Sequence, residues 1–577
     1  MNSLLLVLLM FGGFLIAYHT YGKYLGRKIF MLAADFVCPS HELQDDLDFV
    51  PTNKHVLFGH HFTSIAGLGP IVGPAVGLIW GWLPAAIWVF FGSIFIGAVH
   101  DFGALVVSLR HDGRSIGDVS GDIITPRVRF LFLLIIFFLL LLVIAVFALI
   151  IGILFTMYPQ AVIPVWFEVP LAVWVGHMIY KKGASHTTMG LIAVVLLYVT
   201  VVIGAYVPVD LAAMGMSGKA ALITWIVILF VYAFIASRLP VQVLLQPRDY
   251  INSHQLFVAL GLLFIGVVVA RPDITAPVYN ASPEGAPPIW PFIFVVIACG
   301  AISGFHSLVS SGTSSKQCYD ENDAKFIGYG SMLMEGTLSA LVIVACAAGL
   351  GMGLDTDAGV LTGAQAYSHH YASWATASGL GAKLNAFVIG SANMISSYGI
   401  PEAITITIMG VFLVSFAATT LDTATRLQRY IIGELAHASK VPSVAGKTPA
   451  TLIAVLTAFI LAFYNGSGKG ALTLWPLFGT ANQLLAGLAL LVITVYLVKK
   501  QISTVYTFLP MVFMIFMTGW AMIMNLSKFY NSGNMLLFAI SLCILVLEIW
   551  MIIEAVVFFK KFQARPEAYT ADTGTNA

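Results

Sequence analysis

The chain has 577 residues, 59% of them hydrophobic and only 10% charged, against roughly 25% charge in an ordinary soluble domain. Charge-free runs such as Phe130 to Phe167 exceed the ~20 apolar residues that cross a bilayer, so soluble classes are excluded. The 28 Lys and Arg nearly cancel the 27 Asp and Glu, and a net charge of +1 leaves no basic face for nucleic acid.

Residues 4–18 are apolar, with no preceding basic residue and no clear small-residue cleavage site, and read as a retained helix rather than a signal peptide. The connection 19–61 carries Asp35, Glu42, Asp45, Asp46 and Asp48 and reads as a cytoplasmic cap. Cutting the apolar runs at charges, Pro and Gly then predicts spans at 62–80, 83–109, 129–157, 163–180, 187–208, 220–237 and 253–270. The second half gives 290–312, 329–352, 402–425, 449–464, 471–498, 504–526 and 534–558, fifteen spans in all with 4–18. The segment 353–401 is too long for a plain loop and is expected to form short helices dipping into an outer vestibule. The domain order is therefore an N-terminal helix and linker (1–60), a first inverted repeat (61–289), a second (290–560) containing the re-entrant segment, and a disordered cytoplasmic tail (561–577). Alternating the connections leaves only Lys219, Arg271, Lys383, Lys469 and Lys528 on one side. The positive-inside rule makes that side external, with the N-terminus outside and the C-terminus inside.

Two spans break the rules for helices in lipid. His60 to Pro74 holds Gly67, Gly69, Gly73, Pro70 and Pro74, and the prolines each remove an amide donor. Gly300 to Ser315 is a polar, glycine-rich run containing His306, Ser307 and Ser310. Unpaired backbone in hydrocarbon costs several kcal/mol per group, so such spans line protein or a cavity. One break in each half, running in opposite directions, is the relation expected of inverted repeats with a discontinuous helix apiece.

The segments Phe58 to Gly67, His100 to Ala104, Arg110 to Ile116, Ser303 to Ser307, Ser415 to Arg426 and Trp475 to Leu484 resemble the carbon starvation protein A family. The resemblance implies a secondary transporter of the bacterial inner membrane, active in carbon starvation, with proton-coupled pyruvate uptake or peptide uptake. It also implies kinship with the amino acid, polyamine and organocation superfamily, whose core is a five-plus-five inverted repeat. Seven plus seven spans after a leading helix would add two helices to each half.

Within this all-α polytopic frame, an intramembrane carboxylate is a functional candidate by default. Glu335 has no basic residue within four positions, and Asp101 lies beside His100. His61 and His306 occupy matching places in the two breaks and offer a group that bonds a carboxylate and titrates near neutrality. Asp422 precedes Arg426 by four residues, the spacing of a helical ion pair. Thr419 and Thr423 set two hydroxyls on one face beside it, oxygen chemistry suited to a hard cation; the resemblance implies sodium, since in the related superfold a sodium site lies between this helix and the first broken helix. Glu168 and Glu402, near span ends, are expected to be satisfied by water or helix N-terminal amides. Substrate is expected at His61, Ser64, Gly67, Gly69, His306, Ser307, Ser310 and Asn482, and the coupling ion at Glu335, Asp101, His306, Thr419, Asp422 and Thr423, with no cofactor or metal.

Enzymatic alternatives fit less well. His60-His61 and His369-His370 fall on opposite sides, the five cysteines contain no C-x-x-C pair, and Gly466 to Gly470 lacks P-loop spacing. Ser310 and Ser311 near His306 are explained by a hydroxyl-rich break without a nucleophile. The sequence thus reads as a proton symporter for a small organic acid, pyruvate first. A short-peptide or sodium-coupled carrier is the alternative within transport, and a membrane nutrient sensor the alternative outside it.

Overall fold

The computed structural model describes residues 2–564, and the expected tail lies almost wholly outside them. Twelve helices are long and apolar enough to cross a bilayer unaided. A further span is the bent pair Lys54–Ala66 and Gly69–Trp80, which turns by 42° at its break. The other two of the fifteen expected runs do not form spans of that length. Run 290–312 is split into Ile289–Val296 and Gly304–Gly312, and run 449–464 is the 17-residue helix Lys447–Phe463.

Burial orders these helices. The most apolar window of Trp475–Lys499 is 94% buried and that of Met535–Lys561 only 22%, so the first is central and the second faces outward. Glu402–Ala438 packs along Pro126–Met157 and also against Lys54–Ala66, which puts it beside the first break. Its 37 residues make a rod about 55 Å long, well beyond a bilayer's hydrocarbon core. From the sequence this span is expected to end at residue 425, because Arg426 and Arg429 follow. Those charges stay in the helix because Asp48 accepts from both, at 2.9 Å from Arg426 and 2.8 Å from Arg429.

Asp48 belongs to the acidic connection 19–61, which straps across the basic face of the bundle. The amide N–H of Thr52 donates to the Gln317 carbonyl at 3.0 Å, and Ser40 Oγ donates to the Cys318 carbonyl at 2.6 Å. Arg110 Nε donates to Glu321 at 2.6 Å, tying a first-half helix to the segment after the second break.

Segment 353–401 opens with a two-stranded hairpin, Leu354–Thr356 against Gly359–Leu361, followed by Gly363–His370 and Trp374–Ala377. Its last helix, Leu380–Ser396, is 17 residues long and packs against Gly69–Gly77, Leu245–Ala270 and Glu402–Ala438. Tyr367 and Tyr371 donate from this segment to the carbonyls of Leu78 and Ala75, at 2.8 and 2.7 Å. They satisfy the carbonyl end of the first broken helix, where four acceptors have no intrahelical donor.

Candidate functional site

The two breaks meet. Lys54–Ala66 ends at Gly67 with φ +46° and ψ −143°, a conformation that an L side chain rarely adopts. A Cβ at Gly67 would lie 2.6 Å from Thr420 Oγ1, and one at Gly69 would overlap Cys299 Cβ and Sγ. One at Gly73 would lie 2.8 Å from the Val296 carbonyl. The glycines therefore let the first broken helix press against both the second break and the Glu402–Ala438 helix.

Between Val296 and Gly304 the second helix leaves backbone groups unpaired, and side chains from other helices satisfy them. Trp88 Nε1 donates to the Ile297 carbonyl at 2.8 Å, and Ser93 Oγ to the Gly300 carbonyl at 2.8 Å. Glu335 Oε1 accepts from the Gly300 N–H at 3.0 Å, and Asn482 Oδ1 from the Phe305 N–H at 2.9 Å. Asn482 Nδ2 also donates to Ser303 Oγ at 2.9 Å, while Gln483 Nε2 donates to the Phe294 carbonyl at 2.5 Å. Ser93 opens a π-helical turn, Ser93–Gly97, and a Cβ at Gly97 would overlap the Ala301 carbonyl. That turn brings its helix onto the break.

Behind the break runs a chain of ionisable groups, all fully buried. His100 Nδ1 lies 2.7 Å from Asp101 Oδ1, His306 Nδ1 3.0 Å from Asp101 Oδ2, and His306 Nε2 3.4 Å from Glu335 Oε2. Cys299 Sγ, an atom of His306 and one of Glu335 lie within 4.8 Å of one another. Cys299 in turn faces the cavity described below. The chain thus reaches from the cavity wall to Asp101 through one histidine.

The cavity has a volume of about 680 Å³ and is lined at its floor by Gly67, Gly69, Cys299, Ser303 and Asn482. The rest of its wall comes from the connection 285–288, from Trp374 and Lys383 of segment 353–401, and from Trp475, Asn525 and Lys528. Of the residues expected to hold substrate, Gly67, Gly69 and Asn482 line it. His306 stands one layer behind. His61 Nδ1 instead meets Ser314 Oγ at 2.7 Å, and Ser307 Oγ donates to the Gly304 carbonyl at 2.7 Å. Ser64 faces Thr423, oxygen to oxygen at 3.0 Å, and Thr419 Oγ1 donates to the Phe416 carbonyl at 2.9 Å. Ser310 Oγ is buried and has no hydrogen-bond partner among the described residues.

Asp422 does not make the expected helical pair with Arg426. It accepts from Arg248 Nη1 at 2.5 Å and from Tyr232 at 2.7 Å. Glu168 is likewise not satisfied by water or helix amides, being fully buried and bound to Arg248 Nε and Ser415 Oγ, each at 3.1 Å. Arg248 itself is 1% exposed, so it is not the solvent-facing charge that topology counting makes it. Next to it Asp249 accepts from His60 Nδ1 at 2.5 Å. The signal for this cluster was a polar run, Gln246, Arg248, Asp249, Asn252, Ser253 and Gln255, crowded into the start of an apolar helix.

The fold and these motifs have relatives. The family described as "Carbon starvation protein CstA" matches residues 2–521. A peptide transporter CstA of Escherichia coli (strain K12) is 32% identical over 547 residues, covering 87% of this chain and 77% of that protein. The pyruvate/proton symporter BtsT of the same organism is 32% identical over 578 residues, covering 88% and 80%. Both are named as transporters, not enzymes. Among solved structures, a variant of the Eremococcus coleocola manganese transporter matches 89% of this chain and 99% of its own, with a TM-score of 0.51 and 12% identity. That likeness supports the membrane-transporter fold alone. With two glycine-rich breaks held together by buried polar clasps, and with sequence identity running through both halves, the chain belongs to the carbon starvation protein CstA family.

Proposed function

We propose that the protein is a secondary transporter of the bacterial inner membrane that imports a small organic acid, pyruvate first, by proton symport with alternating access. The observation that carries this reading is the buried chain His100, Asp101, His306 and Glu335, set directly behind a cavity floored by the two breaks. When a single imidazolium faces the two carboxylates, one excess negative charge remains in a desolvated place, which is costly. One more proton removes it. An anionic substrate in the adjacent cavity adds to that negative charge and so favours uptake of the proton, which is the coupling that symport requires.

The orientation follows the positive-inside rule, with the N-terminus outside, the cavity opening outward and the strap 19–61 in the cytoplasm. The relatives named for pyruvate/proton symport and for peptide transport support a small carboxylate-bearing substrate without choosing between them. A sodium-coupled carrier is favoured by one observation, the hydroxyls of Ser64, Thr419 and Thr423 gathered where the first break meets the Glu402–Ala438 helix. The decisive test is uptake by the purified protein in liposomes, with labelled pyruvate, other small acids and dipeptides, under a proton or a sodium gradient. Accumulation of an acid driven by protons is expected. Binding without accumulation under either gradient indicates a sensor and sinks the transport reading.

A further inference from the structure

The cavity wall contains two lysines and, among the described residues, no aspartate or glutamate. The side chains of Lys383 and Lys528 have no hydrogen-bond or ion-pair partner among those residues. They are two of only five cations that the topology sets on the outer side. Lys383 also lies four residues after Gly379, the N-cap of Leu380–Ser396, where the unpaired amides of the helix already supply positive charge. A cation there is disfavoured, so helix stability does not explain it. Half-buried, the Lys383 ammonium loses part of its hydration, which lowers its pKa, a cost that an adjacent anion would offset. The floor of the cavity, where Ser303 and Asn482 bond each other, holds no counter-charge for an ammonium group.

We propose that Lys383 and Lys528 form an anion filter over the cavity, which admits a small carboxylate without an amino group and rejects amino acids and short peptides. This rests on the carboxylate reading above and narrows it. Because the lysines act on binding, their loss should appear in KM and leave kcat nearly intact.

The experiment is pyruvate uptake by the full chain in liposomes, with lactate, alanine and dialanine as competitors. K383Q and K528Q should each raise the pyruvate KM about tenfold, the value of one charge-assisted hydrogen bond. K383R and K528R should restore it, and lactate but not dialanine should compete in the wild type. Lys528 is exposed, so K528Q tests the filter even if K383Q fails to fold. Wild-type KM in K528Q, or dialanine competing as well as lactate, overturns the filter while leaving carboxylate transport standing. If the wild type moves no carboxylate under either gradient, both readings fall.

Discussion

Glu335 separates a proton carrier from a structural clasp, because its two oxygens have different partners. Oε1 accepts from the Gly300 N–H at 3.0 Å and Oε2 lies 3.4 Å from His306 Nε2. Glu335→Gln keeps an oxygen for Gly300 and removes the titrating group, whereas Glu335→Ala also strands a buried amide donor. An orphaned donor costs about 1–3 kcal/mol, so Glu335→Ala should lower the thermal midpoint and Glu335→Gln should stay near wild type. For transport the magnitude is thermodynamic. One proton per monoanion allows about tenfold accumulation per pH unit, or about 1.4 kcal/mol. In liposomes with an imposed pH gradient, Glu335→Gln should bring this ratio to one while substrate counterflow, which needs no net proton movement, continues. If Glu335→Gln still concentrates substrate, Glu335 is only the clasp on the break. If both variants lose stability equally, the Gly300 contact is not what the side chain supplies.

Other perturbations have definite expected outcomes. Arg248→Met leaves Glu168 and Asp422 buried without their cation and should cost about 3–5 kcal/mol; adding Glu168→Gln and Asp422→Asn should recover the melting temperature, and a single variant as stable as the wild type would refute the pairing. Gly67→Ala meets both a φ of +46° and a 2.6 Å contact with Thr420 Oγ1, so about 1–3 kcal/mol of strain should impair uptake, and adding Thr420→Ala should relieve only the contact. Burial opposes ionisation of Asp48, but Arg429 and Arg426 outweigh it and hold its carboxyl below the usual range. Its stabilising effect is therefore complete above the unfolded carboxyl pKa, about 3.9, and is lost as pH falls through the lower folded value. Asp48→Asn should flatten the acid limb of a melting-temperature profile, and an unchanged limb would count against the strap.

The breaks were legible in the sequence because Gly, Pro and Ser interrupt apolar runs, and lipid tolerates such interruptions only against protein or a cavity. Asp101, His306 and Glu335 stood out for the same reason, as charges in hydrocarbon. Their partners did not, since His306 meets Asp101 across 205 positions of chain and no local pattern encodes such a contact. The Asp422 pairing shows how local reasoning misleads. Four-residue spacing pointed to Arg426, yet the strap takes Arg426 and a different helix supplies Arg248. Arg248 was hidden by the topology rule itself, which reads a cation near a span end as a surface anchor. No local pattern marks Lys383 and Lys528 as cavity residues, because which external cations face a pocket depends on how segment 353–401 folds back.

A buried clasp and a proton site are not competing descriptions of Glu335, and their coincidence makes a final prediction. A carboxylate shared between a backbone N–H of the break and a histidine holds the break differently when protonated, because the proton weakens it as an acceptor from Gly300. Proton occupancy and break geometry are then one linked equilibrium, and each must bias the other. Cys299 sits in that break, half-buried and facing the cavity, one residue before Gly300. Its accessibility should therefore report the linkage. In a Cys543→Ser background, which removes the exposed thiol, alkylation of Cys299 by a neutral maleimide should rise with pH. Because Cys299 Sγ lies within 4.8 Å of an atom of Glu335, the rates are compared at matched thiolate fraction, read from the thiolate absorbance of each variant. The part due to the break should vanish in Glu335→Gln, so the two rate-pH curves should diverge by several-fold on one side of the transition. Parallel curves would mean that the proton does not move the break, and coupling through Glu335 would be abandoned even if the protein transports acids.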